Sequence, residues 1–531
     1  MKRHIVLIFI IALAAPMRAA DVQLENGLSA LHYPVNTKNV AAQRWFDQGL
    51  RYVYAFNHEQ AVASFKKATE ADPNLAIGYW GMALALGPNI NMDVDPEREK
   101  QAYDTTQMAL ARIAHASAKE AALINALARR YSAEPGADLK KLGADYSVAM
   151  RDVSKKYPKD DDIATLYAES LMDLRPWKFW SHDGKPAEGT DEIIRVLETV
   201  LKRNPNHIGA NHYYIHATEA SPNPGRATKS ADRLKTLAPS AGHLVHMPAH
   251  VYQRTGKYAD AAAANVAGAQ ADRRFMKKYG AESMYAGMYY NHNLDFGAAS
   301  YAMIGDYKHA KELADETSSN AAKMAAMMPM VEGVTADSLK VLLRFGKWND
   351  VINGKFEAAG PLSTAMLHFA RGVANAQLGN VAGAESEQKA FDEARGKITP
   401  QDTGVYQNPL ASIVAVGAEL LNGRIAMARG DRAAAIAAYR RAVAAEDALD
   451  YDEPADWFYP TRETLGAALL RDGQYAEAEK VFRDDLTRNK NNPRSLFGLV
   501  RALRGQKKNA EAEHTRFASL WRGGTIRIED L

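Results

Sequence analysis

A 34-residue spacing of small and aromatic residues is the feature that most constrains how this 531-residue chain can fold. Small residues let two helices approach closely, and aromatic residues fill the space between neighbouring helix pairs. In the first unit the seven positions are held by Trp45, Gly49, Tyr52, Ala61, Phe65, Ala68 and Pro73. The spacing therefore predicts a pair of antiparallel helices that stacks on further pairs.

These residues resemble the tetratricopeptide repeat (TPR) family, in which every repeat is such a helix pair. The turn Gly-x-Tyr-x-x-Ala, which precedes the second helix, begins again at Gly256, Gly305 and Gly473, and more degenerate units surround Gly379 and Gly430. The resemblance covers most of residues 36–521. It implies an all-α solenoid, a right-handed superhelix of antiparallel helix pairs with inserted loops, whose concave groove binds a small molecule, a peptide or a partner protein.

We predict five regions along the chain. They are a signal peptide at 1–20, N-terminal TPR-like helices at 21–160, central repeats at 161–330, C-terminal repeats at 331–521 and a tail at 522–531. The first region places Lys2 and Arg3 before a short apolar stretch that ends in small residues, which is the layout of a secretory signal. We expect an exported protein of bacterial type, periplasmic or secreted, with no other membrane segment. An uncleaved N-terminal anchor is the alternative.

Composition excludes several kinds of function. The chain has no cysteine, so disulfides, thiolate metal ligands and a cysteine nucleophile are ruled out. Its 66 basic and 63 acidic residues are mixed along the sequence, and no basic stripe predicts nucleic-acid binding. The sequence also lacks the common motifs of serine hydrolases, phosphate loops, dinucleotide-binding folds and zinc proteases.

Histidines are concentrated in the central repeats. Seven of the fifteen lie between His207 and His292, and several are three or four residues apart, which places them on one face of a helix. Counted in the repeat register, His212 and His246 hold equivalent positions in adjacent repeats, and so do His216 and His250. We therefore expect each of these two pairs to lie side by side in the groove.

The same face should collect further ligands from neighbouring first helices. Imidazole nitrogens with a few carboxylates suit zinc, iron, copper or manganese, held as one ion or as two. The predicted metal ligands are Glu169, His212, His216, His243, His246, His250 and His292. If the protein is a metal-dependent enzyme of unassigned reaction, Glu219 is the candidate proton acceptor. The alternative is a metal-free scaffold that binds a peptide or partner protein in the same groove.

Two segments rich in aromatic residues are candidate ligand contacts. Trp177 and Trp180 lie in an insertion that either forms an aromatic wall of the groove or plugs it with hydrophobic side chains. Trp457 and Arg462 lie at the start of a late repeat, where a capped helix start is the alternative explanation. Asp295, on the same predicted face as His292, completes the expected ligand-binding set.

Overall fold

A computed structural model describes residues 22–280, 285–399, 402 and 407–531, so the predicted signal segment at 1–20 lies outside the described residues. In this part of the chain the regular structure is helical and the β-structure is limited to two isolated bridges. Consecutive helices pack against each other in pairs along the sequence. The predicted all-α solenoid of the TPR type is confirmed.

The first half of the chain carries the helices that build the candidate site. In order they are α1 Val40–Tyr54, α2 His58–Ala71, α3 Ala76–Leu86, α4 Pro96–Leu110, α5 Ala118–Leu127, α6 Leu139–Lys156, α7 Asp161–Met172, α8 Thr190–Arg203, α9 Ile208–Glu219, α10 Thr228–Leu237, α11 Gly242–His246, α12 Pro248–Arg254, α13 Tyr258–Tyr279, α14 Asn291–Ile304 and α15 Tyr307–Met324. A π-helical turn, Ala286–Tyr290, leads directly into α14.

The second half continues the pairing. Its helices are α16 Asp337–Arg344, α17 Trp348–Asn353, α18 Pro361–Gln377, α19 Val381–Arg395, α20 Leu410–Ala428, α21 Arg432–Asp447, α22 Thr461–Arg471, α23 Tyr475–Arg488, α24 Pro493–Gly505 and α25 Glu511–Leu520. Short 3-10 turns lie at Ile113–His115, Pro224–Ala227, Pro329–Ala336 and Ile528–Asp530. Among the described residues, α20 is long and apolar enough to cross a membrane, and it packs in a core against α21.

The first repeat packs as its sequence pattern predicts. The ring of Phe65 on α2 lies between Gly49 on α1 and Gly81 on α3, and a Cβ atom added at either glycine would come within 2.6 Å of that ring. Real Cβ contacts are not that short, so these helices need glycine at both crossings. The spacing of small and aromatic residues therefore fixes the distance between the first three helices.

Substituting Gly81 with alanine is expected to destabilise the first repeats by about 1–3 kcal/mol, because the new methyl group displaces the Phe65 ring. Gly143 on α6 provides a matched control, since its nearest neighbour would be 3.6 Å from an added Cβ. Alanine at 143 should stabilise the protein by up to about 1 kcal/mol through helix propensity alone. Urea unfolding followed by circular dichroism measures both, and equal effects would contradict this packing role.

The helical superhelix closes on itself. One continuous hydrophobic core runs from Leu28 to Phe296, and a second runs from Ala336 to Leu531. Helix α1 contacts α9, four helix pairs further along the chain. The C-terminal half returns to the central repeats, where the Tyr258 hydroxyl donates to the Lys490 carbonyl at 2.9 Å. The resemblance implied an open concave groove, and this closure is why the central repeats have a largely enclosed interior instead.

Candidate metal centre

Six histidines from four helices come together in two groups of three. The first triad is His212 and His216 on α9 with His243 on α11. The second triad is His246 on α11, His250 on α12 and His292 on α14. Within each triad the possible ligand atoms lie within 4.8 Å of one another. All are fully buried except His292, which is half-buried.

One of the two expected pairs across repeats is present and the other has a different partner. The rings of His216 and His250 are neighbours as expected, with centroids 5.7 Å apart. His212, however, meets His243 with 3.0 Å between the two Nε2 atoms, three residues before the expected His246. Helix α11 ends at His246 and α12 begins at Pro248, so this segment is not one continuous helix and does not keep a single register against α9.

In the first triad, the hydrogen-bond partners fix where the protons are. The Nδ1 atom of His212 lies 2.7 Å from the Tyr54 carbonyl, which can only accept, so this Nδ1 carries the hydrogen. The Nδ1 atom of His216 lies 2.8 Å from a Glu219 oxygen and donates in the same way. In the neutral imidazoles both Nε2 atoms then carry a lone pair, and these two atoms lie 3.1 Å apart.

Two facing lone pairs require a cation or an additional proton between them. Burial lowers the pKa of His212 and of His243 well below the usual range, and nearby imidazoles lower both further. Burial also lowers the pKa of His216, and the negative charge of Glu219 only partly offsets this effect. An extra proton is therefore unfavourable at neutral pH. The first triad presents convergent neutral nitrogens, which is the form in which imidazole binds metals.

The second triad repeats this arrangement with different partners. The Nδ1 atom of His246 lies 2.6 Å from the Asn265 side-chain oxygen, and the Asn265 amide is oriented because its nitrogen donates to the Ala261 carbonyl at 3.1 Å. The Nε2 atoms of His246 and His250 are 2.8 Å apart. Burial lowers the pKa of His250, but Glu219 and Glu453 together raise it by more, so a proton on His250 can bridge this pair. Burial lowers the pKa of His292 to about 3.

The Glu219 carboxylate contacts the Nδ1 atom of one histidine from each triad. One carboxylate oxygen lies 2.8 Å from His216 Nδ1 and the other lies 2.5 Å from His250 Nδ1. Burial raises the pKa of Glu219, but the two imidazoles outweigh this effect and hold the pKa at about 2. Both of its oxygens face ligand imidazoles, so the geometry favours an orienting role for this carboxylate. Its role as a proton acceptor in catalysis stays a prediction.

A phenylalanine ring covers each triad, and sequence reasoning missed both rings. Phe56 contacts all three imidazoles of the first triad, with its ring centroid 4.5 Å from that of His212. Phe296 contacts all three of the second triad. Phe56 has φ 55°, at the turn position where later repeats carry left-handed glycines such as Gly256. A bulky residue at a glycine position was the available signal, because such strain is concentrated at functional sites.

A cavity of about 160 Å³ lies beside both triads and is bounded by His216, His243, His250 and His292. Trp177 forms part of its wall, and its ring centroid is 5.6 Å from that of His216. Asp295 also lines it. Trp180 instead donates from Nε1 to the Ala217 carbonyl at 2.8 Å. The insertion thus combines the two predicted alternatives, a wall at Trp177 and a plug at Trp180.

Three predicted site residues lie elsewhere. Trp457 is buried in the second core, with its ring centroid 5.3 Å from that of Phe369. Arg462 pairs through both terminal nitrogens with Asp447, at 2.7 and 2.6 Å. Glu169 belongs to neither triad.

The location of these residues away from the triads has a physical cause in each case. Burial and the neighbouring Asp173 raise the pKa of Glu169, opposed by Arg130, so this carboxyl belongs to an acidic group on α7. The loop before α22 does reach the cavity, but through Asp452, Glu453 and Pro454. Two carboxylates of this loop, which the sequence also offered as ligand contacts, line the cavity, whereas Trp457 packs in the second core.

The fold and the comparisons agree on the class of protein. A family model of the tetratricopeptide repeat matches residues 42–75, which is the unit identified from its spacing. The family match covers this one unit, and the helix pairs that continue along the described residues give the chain an all-α, tetratricopeptide-like fold. Among curated proteins, none matches it.

Solved structures with a similar helical fold share little sequence identity with this chain. The human IFIT1 dimer with m7Gppp-AAAA is 12% identical, with 91% of each chain covered and a TM-score of 0.35. The Cut9 chain of the APC/C hetero-tetramer Cut9–Hcn1 is 14% identical, with 93% of this chain and 96% of that one covered and a TM-score of 0.30. Yeast Tom70 is 10% identical, with 88% and 89% covered and a TM-score of 0.30. Scores this low assign neither ligand nor partner.

Proposed function

We propose that this protein binds two transition-metal ions, one in each histidine triad. The observation that carries the proposal is the pair of Nε2 atoms of His212 and His216, 3.1 Å apart with both Nδ1 hydrogens directed at acceptors. A bound cation relieves the repulsion between these lone pairs. Three imidazoles also converge in the second triad, where the Nε2 atoms of His246 and His250 are 2.8 Å apart and an ion would replace the proton that can bridge them.

The donor set narrows the choice of metal. Each triad offers imidazole nitrogens alone, with carboxylates held behind them on Nδ1. Imidazole suits zinc, copper, nickel and iron, whereas manganese prefers oxygen ligands. Manganese, which the sequence also allowed, is therefore the least favoured. An ion held by three imidazoles can act as a Lewis acid or activate water, which is compatible with an enzyme without specifying its reaction.

The surrounding residues have defined roles in this proposal. Tyr54, Glu219 and Asn265 accept the Nδ1 hydrogens of ligand imidazoles and so fix ring orientation and tautomer. Such outer partners typically raise metal affinity by about 10- to 100-fold. Phe56 and Phe296 cover the imidazoles of the first and second triad respectively with apolar rings.

Burial argues against the metal-free alternative in which an extended peptide contacts these imidazoles. A cavity of about 160 Å³ is too small for a peptide, and residues from the first repeat and from the 452–454 loop cover the triads. A partner protein would bind another surface of the solenoid. We retain export to the periplasm or beyond and the absence of nucleic-acid binding as proposals from the sequence.

Elemental analysis tests the proposal. The chain is produced without a histidine tag, and bound metal is quantified by mass spectrometry after growth with zinc, copper, iron or nickel. We expect two ions per chain, and one ion after either His212→Ala or His246→Ala. His309→Ala is the matched control, because this exposed histidine contacts only Asp306 and Tyr301 and should leave both ions in place. Metal-free protein under every supply would rule the proposal out.

Acidification is expected to release the ion of the second triad before that of the first. Burial lowers the pKa of His212, so protons compete for that ligand only at low pH. Glu219 and Glu453 together raise the pKa of His250 above the ordinary value, so protons begin to displace its metal at higher pH. Dialysis at successive pH values, applied to the His212→Ala and His246→Ala proteins, follows each remaining triad separately. Release at the same pH, or in the reverse order, would contradict this assignment of protons.

A further inference from the structure

We infer that the cavity beside the triads holds a benzene-sized ligand carrying an O–H donor, such as an aromatic alcohol. The inference deepens the proposed function, because the imidazoles of both triads line this cavity. It is carried by the size of the cavity and by the polar groups that face it.

Size limits the ligand to a few heavy atoms. The cavity measures about 160 Å³. An engineered cavity of roughly 150 Å³ in another protein binds benzene. Its apolar lining includes Trp177, Met288, Tyr289, Val331 and Pro454. A single aromatic ring with a short substituent therefore matches both the volume and the walls.

Two of the polar atoms left free at the cavity are amide oxygens, which accept hydrogen bonds. Asn291 lines it and is 4% exposed, yet its side-chain oxygen has no hydrogen-bond partner, because the amide nitrogen alone is used, in a bond to the Gly287 carbonyl at 3.0 Å. Asn91 also lines the cavity and has an unpaired side-chain oxygen. Its side-chain nitrogen donates to the Tyr289 hydroxyl at 3.3 Å. Buried acceptors without donors are costly, and a ligand O–H or N–H would satisfy them.

Calorimetric titration of the metal-loaded protein with two ligands of similar size tests this inference. We expect benzyl alcohol to bind with 1:1 stoichiometry and toluene to bind about tenfold more weakly because it lacks a donor. Toluene binding as tightly as benzyl alcohol would overturn the inference, and so would the absence of binding by both.

An isosteric variant locates the interaction. Asn291→Leu removes the free acceptor and should reduce the preference for benzyl alcohol over toluene from about tenfold to nearly none. Asn375→Leu is the matched control, because Asn375 makes the same bond to the carbonyl four residues earlier, on α18, and does not line the cavity. An unchanged preference in Asn291→Leu would overturn the inference.

Metal content, measured on each sample, separates the two proposals. Donor selectivity in a protein that binds no metal would refute the metal sites alone. Two bound ions without donor selectivity would refute the ligand class alone.

Discussion

Replacing Glu219 with glutamine is expected to weaken metal binding at both triads, by about 10- to 100-fold at each. The carboxylate contacts one ligand from each triad, His216 and His250. Glutamine keeps the shape but has one acceptor oxygen, so its NH₂ group must face one of the two Nδ1 hydrogens. Both imidazoles also lose the negative charge that orients and polarises them. Competition titrations with a chromophoric chelator measure the two affinities.

Asn265→Leu provides the comparison for this effect. Asn265 accepts only from His246, at 2.6 Å, so its loss should weaken the second triad and leave the first unchanged. The same titration is carried out in the His212→Ala and His246→Ala backgrounds, each of which keeps one triad. Each measured affinity is thereby assigned to its triad. If Glu219→Gln affected one triad alone, the bridging role of the carboxylate would be refuted.

Removal of the ions is expected to lower the thermal midpoint of the first core by at least about 5 °C. A ligand present at one hundred times its dissociation constant stabilises the folded state by about 2.7 kcal/mol, and two such ions contribute twice that. In a cooperative unit of this size, each kcal/mol corresponds to about 2–4 °C. Chelation also restores the repulsion between facing lone pairs at His212 and His216. Differential scanning calorimetry before and after chelator treatment measures the shift.

The loss of stability should be local, because repeat proteins transmit stability mainly between neighbours. Hydrogen exchange should accelerate in α9 and α12, which carry ligands, and change little in α23, which belongs to the second core. The His309→Ala protein should behave as the wild type. Equal acceleration in α9 and α23 would indicate general unfolding by the chelator, and no acceleration in α9 would contradict a structural role for the ions.

Local spacing made much of this structure predictable. The seven-position match that ends at Pro73 identified the first helix pair, and the i, i+4 spacing of His212 and His216 placed both side chains on one face. These features depend on helical periodicity, which a single sequence records directly. The same periodicity gathered His243, His246, His250 and His292 into one region of the fold.

Contacts that depend on the accumulated rotation between successive repeats were not predictable from the sequence. The contact between His212 and the Tyr54 carbonyl joins residues 158 apart in sequence. It results from small rotations accumulated over several repeats, which no local pattern encodes. The contribution of Glu453 depends in the same way on the return of the C-terminal half. Trp457 was misassigned because an aromatic residue in a loop is equally compatible with a ligand contact and with core packing.

Crystallographic anomalous scattering from the tag-free, metal-loaded protein tests the central claim most directly. Two peaks are expected, one coordinated by Nε2 atoms of His212, His216 and His243 and one by Nε2 atoms of His246, His250 and His292. Each metal–nitrogen distance should be about 2.0–2.1 Å if the ion is zinc. Crystals with no peak at either triad, or with metal bound only to surface residues such as His309, would contradict it.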